Sequence, residues 1–178
     1  MANTVVTLHE LNSMPAGEAA DALLSCCGSM TWARVMAERR PFRNLGELMK
    51  AAEDVWSDLS RDDWIEAFSA HPRIGNVEAR GSRFVHTRKW ASDEQSRVSS
   101  ASQTVLSLLA EGNRRYEDRF GYIFIVSAAG KSAGQMLRLL KERLKNDPSE
   151  EIRIAAAEQQ KITALRLEKM IDEPSTDG

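Results

Sequence analysis

The stretch LGELMKAAEDVWSDL, residues 45–59, shows most directly how this chain folds. Its apolar side chains recur at intervals of three and four residues, which places them along one face of an α-helix. Asn44 lies directly before the stretch and is suited to cap its amino terminus, with Glu47 completing the pairing. The pattern therefore predicts an amphipathic helix that buries one face against other helices.

The same apolar spacing recurs along most of the chain, and it is interrupted by residues that begin or end helices. Proline fits the first turn of a helix, glycine suits its end, and a proline disfavours helix at the residue before it. The predicted helical stretches are 15–27, a short one around 32–36, 45–59, one from 60 that ends before Pro72, a long one from 92 toward 112 or 120, 131–145 and 149–172.

The run GYIFIVSAAG, residues 121–130, is the only strand-like segment of the sequence. A single strand cannot form a sheet alone. We therefore expect either an extended connector packed among helices or an edge that pairs across a dimer. The sequence predicts an all-α fold, a single domain over residues 1–178 that is a bundle of about seven or eight helices with this one connector.

Composition excludes several classes of protein. The 178 residues carry 24 Lys and Arg against 26 Asp and Glu, a net charge of −2, so nothing favours a general nucleic-acid binder. No apolar run is long enough to span a membrane, and the amino-terminal residues do not resemble a secretory signal. Cys26 and Cys27 are adjacent, which makes a disulfide scaffold unfavourable, and the histidines make no zinc-finger spacing. We expect a reduced protein of the cytoplasm.

The segment SAHPRIG, residues 69–75, holds the first candidate for chemistry. His71 is predicted to lie just past a helix carboxyl terminus, where partial negative charge favours a protonated imidazole. Histidine is also the side chain most easily tuned to exchange a proton near neutral pH. His71 is therefore a candidate general acid, and the alternative is a structural histidine that bonds a helix carbonyl.

Two further segments carry candidate charged residues. In WASDEQS, residues 90–96, Glu94 and Gln95 fall in the first turn of a helix. The Glu94 carboxylate either binds a substrate ammonium or N–H group, orients a histidine, or simply stabilises the helix start. In KITALRLEKM, residues 161–170, Arg166 shares a semi-apolar helix face. That arginine either extends its charge to water or binds an anion with both arms of its guanidinium.

Taken together, these segments resemble one family, the 2-oxo-4-hydroxy-4-carboxy-5-ureidoimidazoline (OHCU) decarboxylases. The resemblance implies an all-α homodimer that acts on a small anionic substrate and needs neither cofactor nor metal. The matching pieces follow the family order over nearly the whole chain: LNSMP (11–15), CCGSMTWARVM (26–36), RPF (40–42), AHPRIG (70–75), ASDEQS (91–96), YEDRFGYIFIVSAAGKS (116–132) and KITALRLEKM (161–170).

The resemblance also implies which residues act on the substrate. The catalytic residues of the family match His71, Glu94 and Arg166. Ala91 stands where the family often has a polar residue, so one side-chain contact is in doubt at that position. The implied substrate-contacting positions are Pro72, Gln95, Phe124, Ile125, Val126, Ser127 and Ala128.

The implied reaction is a cofactor-free decarboxylation that yields S-allantoin and CO₂ in urate degradation. Two alternatives fit the same sequence. One is a helical interaction module without activity, in which the three charged or titratable residues are caps and surface charges. The other is a lyase that acts on a related heterocyclic acid.

Overall fold

The structure is a computed structural model that describes residues 5–72 and 103–172. Within these two ranges it contains helices and no β-strand, which confirms the predicted all-α class. The helices are α1 Leu8–Ser13, α2 Ala16–Cys27, α3 Met30–Glu38, α4 Leu45–Asp58, α5 Arg61–Ser69, α6 Gln103–Phe120, α7 Ala133–Arg143 and α8 Pro148–Met170. The predicted loop over 74–89 and the predicted helix start near 92 lie outside the described residues.

The predicted helix boundaries follow from capping residues that the structure places as expected. The Asn44 side chain accepts a hydrogen bond from the Glu47 N–H at 2.8 Å, so α4 is capped as predicted. The Glu47 carboxylate, however, accepts from the Arg43 N–H at 2.6 Å. Gly28 ends α2 in the left-handed conformation with φ 84°, which a residue with a side chain rarely adopts.

Two compact units divide the described residues. The first holds the residues up to Glu66 together with those from Gln160 onward, and the second is Ala67–Gln159. Helix α8 contributes its first part to the second unit and its remainder to the first. Within the parts of the chain that are described, no helix is long and apolar enough to cross a membrane.

The core of the first unit forms where α2, α3 and α4 bury their apolar faces. Trp32 is completely buried, and its indole N–H donates to the Ala52 carbonyl at 3.2 Å. Val6 pairs with Ile171 in one isolated parallel bridge, which ties the start of the described chain to the end of α8. The fully buried side chains of this core include Leu11, Leu23, Met36, Leu48 and Leu167.

The core of the second unit forms around α6 and α7. Helix α6 continues through Gly112 to Phe120, so of the two predicted ends, near 112 and near 120, the second is correct. A Cβ at Gly112 would lie only 2.6 Å from the Leu140 side chain, which shows that glycine permits the close approach of α7. Residues 121–130 form no strand with the other described residues of this chain, and the side chains of residues 122–127 are buried. This burial fits the predicted connector packed among helices, and pairing across a dimer stays a prediction.

Candidate active site

His71 lies just past the end of α5, as its position before Pro72 predicted. Its backbone N–H donates to the Phe68 carbonyl at 3.1 Å, and its side chain is half-buried. Phe68 is fully buried and packs on Tyr122 with ring centroids 5.2 Å apart, which anchors this end of the helix. On the imidazole itself, Nε2 lies 2.6 Å from the Gln159 side-chain oxygen on α8. The histidine is therefore held at both its backbone and its ring.

The extended connector is fixed by side chains that bond its backbone. The Ser127 N–H donates to the Glu158 carboxylate at 2.8 Å, and the Lys131 ammonium donates to the Ser127 carbonyl at 2.9 Å. Regular strand pairing is absent here, so these side chains satisfy backbone groups that a sheet would otherwise satisfy. The stretch from Phe124 to Ala128 thus has a defined path through the second unit.

A buried network of charged residues on α7 and α8 holds the same connector. The Arg143 guanidinium donates to the Ile125 carbonyl at 2.5 Å, and its Nε and Nη2 atoms lie 2.7 and 2.6 Å from Glu151 Oε1. The Arg143 guanidinium also lies 4.6 Å from the centre of the Phe124 ring. Tyr116 donates its hydroxyl to Glu151, and burial raises the pKa of that phenol far above its usual value. A single network therefore holds two residues of the connector.

Arg166 lies on α8 in the first unit and is completely buried. Its Nη1 donates to the Cys26 carbonyl at 3.4 Å. Because its charge does not reach water, the first of the two predicted behaviours, extension to solvent, does not occur. Ile162, Thr163 and Met170 share its helix face and are also buried, as the sequence spacing indicated.

The adjacent cysteines beside Arg166 do not supply a nucleophile. Burial raises the pKa of the Cys26 thiol to about 11 and that of Cys27 to about 12. Both thiols therefore stay protonated near neutral pH, and a protonated thiol is a poor nucleophile. They behave as small core residues, and both are free of disulfide bonds.

A cavity of about 260 Å³ opens in the first unit, and Trp32, Met49, Trp56 and Thr163 form part of its wall. Charged side chains of α4, Lys50 and Glu53, also line it. None of the predicted site residues within 5–72 and 103–172 lines this cavity. Among the residues that the structure describes, no group of three or more His, Cys, Asp or Glu side chains is placed to hold a metal ion.

The structure describes some of the predicted site residues and not others. His71, Pro72 and the connector positions from Phe124 to Ala128 lie in the second unit, and Arg166 lies in the first. Glu94, Gln95 and Ala91 lie outside the described residues. The residues that hold the predicted ones did not stand out in the sequence. Gln159 contacts the His71 imidazole, and Glu158 accepts from the Ser127 N–H. Arg143, paired with Glu151, holds the connector.

The fold and the site geometry define the class of this protein. It is a helical protein whose candidate site combines a histidine just past a helix end with an extended connector held by side chains. The chain belongs to the OHCU decarboxylase family, whose sequence profile matches residues 12–168. This match covers most of the chain and includes every predicted site residue.

Individual relatives agree with this assignment. The chain is 39% identical over 146 residues to the 2-oxo-4-hydroxy-4-carboxy-5-ureidoimidazoline decarboxylase of Amia calva, covering 77% of this chain and 78% of that protein. It is 40% identical over 149 residues to the uric acid degradation bifunctional protein TTL of Arabidopsis thaliana, covering 83% of this chain. The chain spans only 46% of the length of that bifunctional relative.

A solved structure has the same fold. The crystal structure of an OHCU decarboxylase in the presence of (S)-allantoin superimposes with a TM-score of 0.74 at 39% sequence identity. The match covers 86% of this chain and 99% of that chain.

Proposed function

We propose that this chain is an OHCU decarboxylase that converts 2-oxo-4-hydroxy-4-carboxy-5-ureidoimidazoline to (S)-allantoin and CO₂ in urate degradation. The observation that carries the proposal is the family match over residues 12–168, together with a half-buried His71 whose imidazole is held at 2.6 Å by Gln159. The structural alternative has the ring bonded to a helix carbonyl, whereas the Nε2 atom here lies against a side-chain oxygen on α8. An imidazole fixed on a buried side chain is instead suited to proton transfer in one direction.

The chemistry of this substrate explains why such a site needs no added electron sink. The carboxylate leaves as CO₂, and the electron pair of the broken C–C bond moves toward the adjacent ring C=N bond. The ring nitrogen of that bond takes up a proton, which leaves an enol with a C=C bond between the two ring carbons. A second proton then adds to the ring carbon that bears the ureido group, and loss of the hydroxyl proton gives the ketone of allantoin. Because the substrate delocalises its own charge, the protein has only to bind the anion, stabilise developing charge and deliver the proton to one face.

We assign the proton transfers to His71 and the recognition of N–H groups to Glu94 and Gln95. His71 accepts or orients the proton of the 4-hydroxyl group and supplies the proton that fixes the S configuration. A carboxylate and an amide oxygen are suited to accept hydrogen bonds from the ureido and ring N–H groups. Pro72, next to the catalytic histidine, is the adjoining substrate contact in this proposal.

The connector from Phe124 to Ala128 is proposed to bind the edges of the substrate ring through its backbone. Backbone groups recognise a planar heterocycle well only when their positions are fixed in advance. Arg143 and Glu158 supply that support, because they bond the Ile125 carbonyl and the Ser127 N–H at 2.5 and 2.8 Å. Substrate binding explains why side chains fix the backbone of the connector, which core packing alone does not require.

Arg166 is proposed to bind an anionic or carbonyl oxygen of the substrate. A guanidinium removed from water interacts strongly with an anionic ligand, because the low local dielectric strengthens the attraction. Its planar fork also offers two parallel N–H donors to a carboxylate.

Replacing Arg166 by lysine is expected to lower kcat/KM about 10- to 100-fold, because one hydrogen bond to a charged group, worth about 1.5–3 kcal/mol, is lost while the charge remains. Steady-state kinetics measure the effect. Arg153 lies on the same helix with an exposed side chain, so Arg153→Lys is the matched control and should keep the original value. A twofold or smaller loss in Arg166→Lys would show that the arginine fork does not bind the anion.

The chain is further proposed to act as a cytoplasmic homodimer, as the resemblance implies. Sedimentation equilibrium of the purified chain should give a mass near twice 19.9 kDa. A mass of one chain across micromolar concentrations would rule out the dimer.

Adding the chain to freshly prepared OHCU is the test of the activity. CO₂ release is expected to rise above the spontaneous rate, with one CO₂ formed per allantoin and no cofactor added. An unchanged rate would favour a helical interaction module without activity. A faster release from a related heterocyclic acid than from OHCU would favour a lyase of different substrate.

A further inference from the structure

Gln159 is buried completely on α8, in the same compact unit as His71. Its side-chain oxygen lies 2.6 Å from His71 Nε2, although the two residues are 88 positions apart in sequence. Gln159 presents its amide oxygen to the ring, and an oxygen that only accepts a hydrogen bond pairs with an imidazole nitrogen that carries a proton. Of the two neutral forms of the histidine, this arrangement favours the one with the proton on Nε2.

We propose that Gln159 is a positioning residue that holds His71 in the Nε2–H form and fixes the orientation of its imidazole ring. The inference rests on the proposed function, because it concerns the histidine of that same site. Gln159 itself touches neither the substrate nor the reacting atoms in this proposal. It acts by fixing the tautomer and the orientation of the ring, as hydrogen-bonded partners do for histidines in other sites.

The burial of Gln159 explains how it can impose an orientation. Ala155 and Ala156, about one helical turn before it, and Ile162 and Thr163, about one turn after it, are all buried. A long side chain packed in this way has few alternative rotamers, and a buried amide is costly unless its polar atoms are bonded. The neighbouring residue, Glu158, accepts from the Ser127 N–H at 2.8 Å. Consecutive residues of α8 therefore fix the imidazole and the connector.

Two substitutions of Gln159 separate the loss of the acceptor from the loss of packing. Gln159→Met keeps the length of the side chain and removes the acceptor, whereas Gln159→Glu keeps an acceptor oxygen. We expect kcat to fall about 10- to 100-fold in the methionine variant, the range found for partners that orient histidine ligands, with KM changed less than threefold. The glutamate variant should recover most of the lost kcat. Gln160→Met makes the same change one residue along α8 and is expected to leave both constants as they were.

The tautomer itself can be read without any substrate. Two-bond proton–nitrogen correlation spectra of protein labelled with ¹⁵N-histidine distinguish the Nε2–H form from the Nδ1–H form. The signals of His71 are assigned as those missing from a His71→Gln sample. We expect the Nε2–H pattern in the original chain and in Gln159→Glu, and a mixture of the two forms in Gln159→Met.

Each outcome of these measurements either supports or overturns the positioning role of Gln159. A drop in kcat for Gln159→Met that accompanies a changed tautomer, with recovery in Gln159→Glu, supports the positioning role. An Nδ1–H pattern in the original chain, an unchanged tautomer in the methionine variant, or a kcat within twofold would each overturn it. The spectra need no substrate. If the chain fails to decarboxylate OHCU but shows the Nε2–H form, the result contradicts the proposed function and still supports the hydrogen bond between His71 and Gln159.

Discussion

The His71→Gln variant is expected to lose about 10²- to 10⁴-fold in kcat for the decarboxylation, the range that positioned acid–base groups contribute. Glutamine preserves hydrogen bonding and much of the side-chain volume, but it cannot exchange a proton near neutral pH. The proton that sets the configuration of allantoin would then come from water, from either face. We therefore expect the residual product of this variant to be racemic.

The fold of this variant should be unchanged. His71 lies after the last residue of α5, and the buried Phe68 and Ala70 before it anchor the helix end. Circular dichroism and thermal unfolding check this point. His9 is exposed on α1, so His9→Gln is the matched control and should keep full activity. Activity within a few fold of the original in His71→Gln would remove His71 from the proton transfers.

The Glu151→Ala variant is expected to lose about 3–5 kcal/mol in free energy of unfolding, which is the usual cost of leaving a buried charge without its partner. Glu151 is completely buried and accepts from Arg143 at 2.7 Å and from Asn146 at 2.8 Å, with the Tyr116 hydroxyl as a third donor. Removing it leaves all three donors without this acceptor. For a protein of this size the midpoint of thermal unfolding should fall by about 6–20 °C.

The same change should also affect substrate binding, because Arg143 bonds the Ile125 carbonyl of the connector. We expect KM for OHCU to rise in Glu151→Ala even at temperatures where the protein stays folded. The exposed neighbour gives the control: Glu150→Ala should cost no more than about 1 kcal/mol, since only a favourable helix-start charge is lost.

A paired variant tests whether the cost comes from the orphaned charge. Arg143→Met combined with Glu151→Leu removes both charges, and such replacements are often neutral or stabilising. The double variant is therefore expected to be more stable than Glu151→Ala alone. A loss below about 1 kcal/mol in Glu151→Ala would mean that the network does not hold this unit together, contrary to the geometry.

Local chemistry allowed most helices to be predicted from the sequence. The Asn44 cap of α4 and the Gly28 end of α2 each depend on residues close in sequence, and each is present in the structure. The path of α6 through Gly112 was harder to predict. Glycine weakens an isolated helix, but here it makes room for Leu140 of another helix, and that reason is visible only in three dimensions.

The candidate site could be predicted only in part, because its supports are distant in sequence. His71 stands out through its proline and its helix end, whereas Gln159 looks like any glutamine on a helix until the chain brings it to 2.6 Å from the imidazole. Arg143 and Glu151 resemble an ordinary charged pair, and nothing local shows that both are buried. Charged residues are usually exposed, so sequence patterns alone place such pairs on the surface.

The enantiomeric composition of the allantoin is the most direct measurement of whether this chain delivers a proton to one face of its substrate. OHCU generated in place from urate by its oxidase and hydrolase is allowed to react with and without the chain, and optical rotation is followed. With the chain we predict a stable rotation of the sign of (S)-allantoin, against a racemate without it. A racemic product formed at an unaltered rate in the presence of the chain would contradict the assignment.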